Sequence, residues 1–250
     1  MDRLFRNVVL GAAAIAFATI SYVTAQGAAT LNGGRGQIEA IVKDYLTANP
    51  EILVEMQGAL ERKQTAAEEQ TRLAALTKIG QAALTDPKVA FTYGPEDAKV
   101  TVVEFFDYRC GFCKASLPAM KKAVAAGGKV RFAFVEFPIL SADSLVAAQA
   151  AVAARAQPDK YVPFHLALME TTGDLPRTRV LEIARNLGID VAKLERDMAS
   201  EETRASLQAS HALAEQLNIN GTPTFIINGK FHVGQIGEAE LTELLKDGHA

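Results

Sequence analysis

The sequence predicts an α/β fold carrying a helical insertion, preceded by an N-terminal helical extension. Three observations predict it. The first is an apolar, β-branched run, Val100 to Phe106, followed by a short polar turn, then Cys110 and Cys113, then a helix-like stretch from Lys114 to Ala126. The second is another apolar run, Val130 to Phe137, which with the first makes a strand–helix–strand unit and hence a parallel pair. The third is Asn228-Gly229 between Thr224–Ile227 and Phe231–Val233, a two-residue hairpin signal far along the chain.

Composition narrows the classes. The chain has 250 residues, is 49% apolar and carries a net charge of -3. That length holds one sizeable domain plus an appendage, and the charge argues against a dominant nucleic-acid role. There are only two cysteines, too close together to staple a fold, so stability rests on an ordinary core.

The first residues read as an address. Arg3 and Arg6 form a basic start, Val8 to Ile20 is an apolar run of about thirteen residues, and Val23-Thr24-Ala25 fits a cleavage site. Residues 1–25 are therefore expected to be a signal peptide, since a membrane span runs longer; an uncleaved anchor is the alternative. Either way the body is exported to an oxidising compartment, the periplasm, where disulfides form and persist.

Residues 26–84 are expected to be helical. Gly27 to Gly36 is a Gly-rich lead-in, and Ile38, Ile41, Val42 and Tyr45 sit at helical spacing. Asn49 fits an N-cap and Pro50 a first turn, starting a second helix from Glu51 to about Leu84. Leu53, Met56 and Leu60 form an apolar stripe, Glu61 to Gln70 is polar, and the stripe returns with Leu73, Leu76, Ile79 and Leu84. Apolar residues with no local partner suggest a stalk through which copies associate, against the alternative that the helix packs on its own domain.

Residues 85–250 carry the α/β domain. Asp86-Pro87 breaks the helix, Val89 to Tyr93 is a short edge strand, and 94–97 is a turn. Pro118 is expected to kink the cysteine helix and Gly127-Gly128 to end it. An insertion at about 141–218 reads as helices over Leu145–Gln157, Tyr161–Glu170, Arg177–Leu187, Val191–Met198 and Glu201–Leu217. A closing helix, Glu238 to Leu245, follows the hairpin.

A C-x-x-C pair where a strand meets a helix suits thiol–disulfide chemistry. The helix N-terminus offers unpaired N–H groups and the positive end of the dipole, and both stabilise the attacking thiolate. Alternatives are weaker. A tetrahedral zinc site wants four ligands, and His165, His211, His232 and His249 are scattered, so no metal is expected from them. Asp107 and Arg109 read as turn and rim residues, Lys121-Lys122 as a solvated face, and Phe105, Phe106, Phe132 and Phe134 as core.

The order of elements is a thioredoxin-type layout. The segments F-F-D-Y-R-C-G-F-C-K, E-F-P-I-L and G-T-P-T-F-I-I-N-G-K resemble the exported DsbA-like thiol–disulfide oxidoreductases over about residues 85–250. The N-terminal helices resemble the extension of the suppressor-of-copper-sensitivity C (ScsC-like) branch, some of whose members are trimeric disulfide isomerases. This resemblance implies that Cys110 is the attacking, more exposed cysteine and Cys113 the resolving one. It implies that Pro223 is cis and lies beside them, that Thr222 holds substrate peptide through its backbone, and that Glu104 is a buried acid beneath the pair that moves protons for Cys113. Gly111-Phe112 departs from the histidine of strongly oxidising members, so Cys110 should be less acidic and the disulfide less oxidising.

The resemblance implies no cofactor. Its expected partners are disulfide-containing exported proteins, a membrane redox partner and further copies of the chain, a trimer favoured. Three functions follow: a disulfide isomerase or reductase, a monomeric dithiol oxidase, and a copper(I)-binding protein using the same two thiolates.

Overall fold

The computed structural model describes residues 34–126 and 130–246. The expected signal peptide, most of the Gly-rich lead-in, Gly127-Gly128 and His249 lie outside them. The chain divides into two units, one ending at Thr65 and one running from Ala66.

In the first unit, α1 covers 34–48 and α2, Glu51–Ile79, begins. Asn49 does not cap α2 as expected. Its side-chain amide donates back to the Tyr45 carbonyl at 2.8 Å, beside the backbone bond that its own N–H makes to the same carbonyl at 3.0 Å, and so closes α1 ahead of Pro50. Ile38, Val42, Leu46 and Leu53 line an apolar groove with Pro50. Ile41, Met56 and Leu60 are also exposed, at 67%, 61% and 55%.

In the second unit α2 stops at Ile79, short of the expected Leu84. Gly80 takes φ 81°, a left-handed value that suits glycine, and a 3-10 turn follows over Gln81–Thr85. Leu76 and Leu84 are buried here in the core under the sheet, and Arg72 donates to the Asn218 carbonyl at 3.2 Å. The end of the long helix thus packs with the α/β unit.

Five strands form one sheet: β1 (Phe91–Tyr93), β2 (Val100–Phe106), β3 (Val130–Glu136), β4 (Thr224–Ile227) and β5 (Lys230–Val233), in the order β1-β3-β2-β4-β5. β2 and β3 run parallel, and the other pairs are antiparallel. The parallel pair needs a crossover, supplied by α3 (Gly111–Ala126). α3 starts three residues before the expected Lys114 and runs through Pro118 as one helical segment. The hairpin turn has positive φ at both Asn228 and Gly229, 51° and 79°, as a type I′ turn requires.

Strand alternation sorts the core. Val102, Phe106, Phe132, Phe134, Phe225 and Ile227 share one face with the cysteines, α3 and the insertion helices. Val103, Phe105, Ala133, Val135 and Ile226 pack the other face with Leu76 and Leu84. The insertion comprises α4 (Ala142–Ala154), α5 (Pro158–Glu170), α6 (Arg177–Asn186), α7 (Val191–Met198) and α8 (Glu201–Gln216), and α9 (Glu238–Lys246) closes the chain. Ser141, Asp190 and Ser200 cap α4, α7 and α8 by accepting backbone N–H bonds. A buried ion pair, Arg155 with Glu136, joins α4 to β3, and Tyr161 donates to the same carboxylate at 2.6 Å.

Candidate active site

β2 delivers its end to the mouth of α3, and two backbone bonds shape the turn between them. The Cys110 N–H donates to the Asp107 carbonyl at 3.0 Å, and the Lys114 N–H to the Cys110 carbonyl at 3.1 Å. Cys113 therefore sits in the first helical turn, and its N–H lies 3.4 Å from Cys110 Sγ. Both cysteines are free thiols.

The loop before β4 faces this turn. Thr222–Pro223 is a cis peptide, and Cys110 in its protonated form donates to the Thr222 carbonyl at 3.2 Å. The Pro223 carbonyl accepts from the Gly234 N–H at 2.9 Å, tying the loop to the end of β5. Residues more than a hundred positions apart thus meet at one sulfur.

That meeting encloses both cysteines. Cys110 is 4% exposed and Cys113 2%, a small difference in the direction the resemblance implies. The enclosure of Cys110 is shallow. Gly111 is exposed and Phe112 is 65% exposed, so the sulfur lies just beneath the surface.

Local chemistry separates the two thiols. Hydrogen bonding from the Cys113 thiol, then from Thr222 and from the backbone of Cys113 and Phe112, holds the Cys110 pKa down at about 6, against the opposing effect of burial. Burial pushes the Cys113 thiol far up, and hydrogen bonding to Cys110 and the Glu104 charge push the same way. At neutral pH one sulfur is a thiolate and the other keeps its proton, which suits a nucleophile and a reserve.

Glu104 lies on β2 on the cysteine face. Its register partners are Phe134 on β3 and Phe225 on β4, and it is 3% exposed. Burial, and secondly the charge of Cys110, raise its pKa to about 8.

Asp107 is a turn residue, as its sequence suggests, and also an anchor between two loops. It is 1% exposed, and its carboxylate accepts from the Arg109 N–H at 2.7 Å and from the Ile139 and Leu140 N–H groups at 2.9 and 3.0 Å. It pins the cysteine loop to the segment after β3. Aspartate two residues before an N–H it accepts is a turn signal, which was legible; the two partners after β3 were not. Arg109 is a rim residue, donating to the Gly173 carbonyl and pairing with Asp174. Lys121 and Lys122 are solvated but paired, with Glu170 and Glu238.

Three further residues escaped the sequence. Ser116 accepts from the Ile236 N–H at 3.0 Å, docking the segment after β5 onto α3. Lys114 Nζ donates to the carbonyls of Met169 and Thr171 at the end of α5. Tyr108, two residues before Cys110, bonds its hydroxyl to His165 Nδ1 at 3.1 Å, and burial holds that histidine down at about 3, hence neutral. His165 is therefore a satisfied core residue. Among the described residues no group of three or more His, Cys, Asp or Glu side chains is placed to hold a metal.

A dithiol at the strand–helix junction, faced by a cis-proline loop on this sheet order, defines a thiol–disulfide oxidoreductase of the thioredoxin fold. Residues 85–247 match the family described as thioredoxin, and residues 35–67 match the copper resistance protein ScsC N-terminal domain. The chain belongs to the thioredoxin family and is a DsbA/ScsC-like member of it.

Disulfide bond formation protein D of Bacillus subtilis is 32% identical over 148 residues, covering 55% of this chain and 67% of that protein. A thioredoxin-like oxidoreductase from Silicibacter pomeroyi superposes with TM-score 0.63 at 39% identity, covering 68% of this chain and 98% of that one. BcfH of Salmonella enterica Typhimurium superposes with TM-score 0.72 at 25% identity, covering 90% of this chain and 100% of that one. The Na(+)/H(+) antiporter NhaA 3 of Salinispora tropica is 28% identical over 151 residues, 60% of this chain. The chain spans about a quarter of that antiporter's length, 23%.

Proposed function

We propose that this oxidoreductase is exported through residues 1–25 and acts as a disulfide isomerase and reductase on other exported proteins, as a homo-oligomer with a trimer favoured. The observation that carries the oligomer is the apolar face of the first unit, where Ile38, Ile41, Leu53, Met56 and Leu60 are all more than half exposed. The match of residues 35–67 to the ScsC N-terminal domain supports the same reading. Residues 26–84 form the extension and 85–250 the catalytic domain.

Cys110 is the nucleophile. Its thiolate attacks one sulfur of a substrate disulfide, forming a new S–S bond while the other substrate sulfur leaves as a thiolate and takes a proton. If a substrate thiolate then attacks the mixed disulfide, Cys110 leaves reduced and the substrate is rearranged. If Cys113 attacks instead, the substrate leaves reduced and the chain holds a disulfide, to be reduced by a membrane partner. In that step Glu104 takes the Cys113 proton in its ionised form, which is favoured once the Cys110 charge is lost to the mixed disulfide; in the reverse step it gives the proton back. The backbone of Thr222, beside cis-Pro223, aligns the substrate strand.

A Cys110 pKa of about 6 favours a reductant over a strong oxidant, since thioredoxin lies at about 7 and strongly oxidising DsbA at about 3.5. Dithiol oxidation is the second reading, supported by likeness to disulfide bond formation protein D. Copper(I) as cargo is the third: two adjacent thiols suit a soft ion, and the N-terminal match is to a copper resistance protein. The test is solution mass and refolding of a scrambled disulfide-rich protein, on the full chain and on Leu53→Glu and Leu60→Glu. The proposal expects an oligomer that restores the scrambled protein, and charged variants that are monomeric and lose isomerase but not simple thiol exchange. A monomeric parent would sink it.

A further inference from the structure

At the opposite end of β2 from the cysteines, a cavity of about 210 Å³ opens where β2 and β3 begin and the β4–β5 turn comes round. That space holds several water molecules or a ligand of a few carbon atoms. Its floor is buried and apolar: Leu84, Val103 and Ile226.

Its walls carry a surplus of donors. Asn228 and Arg131 line it, and their buried Nδ2 and Nε atoms have no protein partner among the described residues. Only one other buried side-chain atom described is in that condition, Arg155 Nε, and it lies elsewhere. Arg131 is held by a bond from Nη2 to Thr92 Oγ1 at 3.3 Å, and Asn228 by its backbone N–H to the Thr101 carbonyl, also 3.3 Å. Gln81 brings a second amide close: a Cβ on Gly229 would stand 3.0 Å from Gln81 Nε2, in a turn that already requires positive φ. Lys99 is exposed on the rim.

Buried donors without acceptors are unfavourable, and two on one cavity call for a group that only accepts. Carboxylate and phosphate oxygens both qualify. Glu96 lines the same cavity, so Arg131 and Lys99 leave a single net positive charge, which matches one carboxylate better than a phosphate dianion. The apolar floor suits a short hydrocarbon stem.

We propose that this cavity binds a small monocarboxylate, its oxygens taken by Arg131 and Asn228 and its stem resting on Leu84, Val103 and Ile226. The site is separate from the dithiol, and the proposal does not depend on the isomerase reading.

Butyrate is titrated into the full chain, followed by amide chemical shifts in NMR, with butyramide and inorganic phosphate as controls. The expected result is saturable butyrate binding with shifts centred on Lys99, Arg131 and Asn228, and none from butyramide. Arg131→Gln should weaken binding by about ten-fold, the loss of one charge-assisted bond. Lys99→Gln, a surface change that leaves folding intact, should weaken it by less, and Glu96→Gln should tighten it by removing a like charge. Absence of saturation would overturn the proposal, as would equal binding of butyramide, preferential binding of phosphate, or affinities unmoved by Lys99→Gln and Glu96→Gln.

Discussion

The thiol of Cys110 and the carbonyl of Thr222 stand 3.2 Å apart, although 112 positions separate them in the chain. β2 pairs directly with β4, so the loop entering β4 must pass the end of β2 where the cysteine turn begins. The sheet order, then, is what assembles the site. In the proposed mechanism the same carbonyl accepts from a substrate backbone N–H once Cys110 has reacted.

The first prediction concerns the thiolate. Titration of its ultraviolet absorbance in the reduced protein should give a midpoint near 6, and Cys110→Ser should remove that step. The folded pKa lies below the ordinary thiol value of 9.0, so the reduced form gains stability from this group at high pH and loses it as pH falls from 9 through 6. Chemical denaturation of the reduced protein at pH 5 and pH 8 measures it; no difference between wild type and Cys110→Ser in that dependence would contradict the assignment.

Glu104 works in the opposite sense. Its folded pKa of about 8 exceeds the ordinary 4.5, so its unfolded form gives up the proton first and stability falls as pH rises between those values. Glu104→Gln should therefore be more stable than wild type at pH 8, by on the order of a few kcal/mol, with the gap closing towards pH 4. The same variant should slow release of the mixed disulfide by Cys113, read in a stopped-flow single turnover.

Replacing Phe112 by histidine should move the redox balance. Phe112 is 65% exposed, so the change should leave folding within about 0.5 kcal/mol. An imidazole beside Cys110 favours the thiolate, so the absorbance midpoint should fall below 6 and the glutathione equilibrium should shift to the reduced chain. An unchanged midpoint would show that the helix terminus and Cys113 already set the acidity alone.

Asp107→Ala should be among the most destabilising changes near the site. Three backbone N–H groups lose their acceptor, at about 1–3 kcal/mol for each one left buried and unpaired. Urea unfolding checks the stability. Exchange with a small disulfide and with a protein disulfide should separate, because the segment pinned by Asp107 carries the exposed Ile139 and Leu140 beside the site. Equal loss on both substrates would mean that only the cysteine turn was disturbed.

Much of the fold was readable from pattern. β2, α7 and β4 fall on the residues their composition indicates, Val100–Phe106, Val191–Met198 and Thr224–Ile227. Each is a short apolar or amphipathic run bounded by turn or cap residues, where local preference and burial agree. The second helix ends before Gly80, short of the Leu84 that its apolar stripe suggests. What ends the helix there is its positive φ, together with the burial of Leu84 on the far side of the turn. Asn49 closes α1 and leaves α2 without its cap, because two helix ends compete for one side chain.

Sequence alone set the chemistry: two cysteines one helical turn apart after a buried strand, with phenylalanine between them, select a thiolate and its reserve. Local spacing suffices for this, because the strand end and the helix N-terminus are both encoded within fifteen residues or so. The tertiary structure decided how that chemistry is housed. It enclosed Cys110 under the Thr222–Pro223 loop, set Glu104 between Phe134 and Phe225, and brought Asp107 to the segment after β3. Those relationships depend on which strands pair and in what register, and register is a property of the assembled sheet, settled by burial on both its faces.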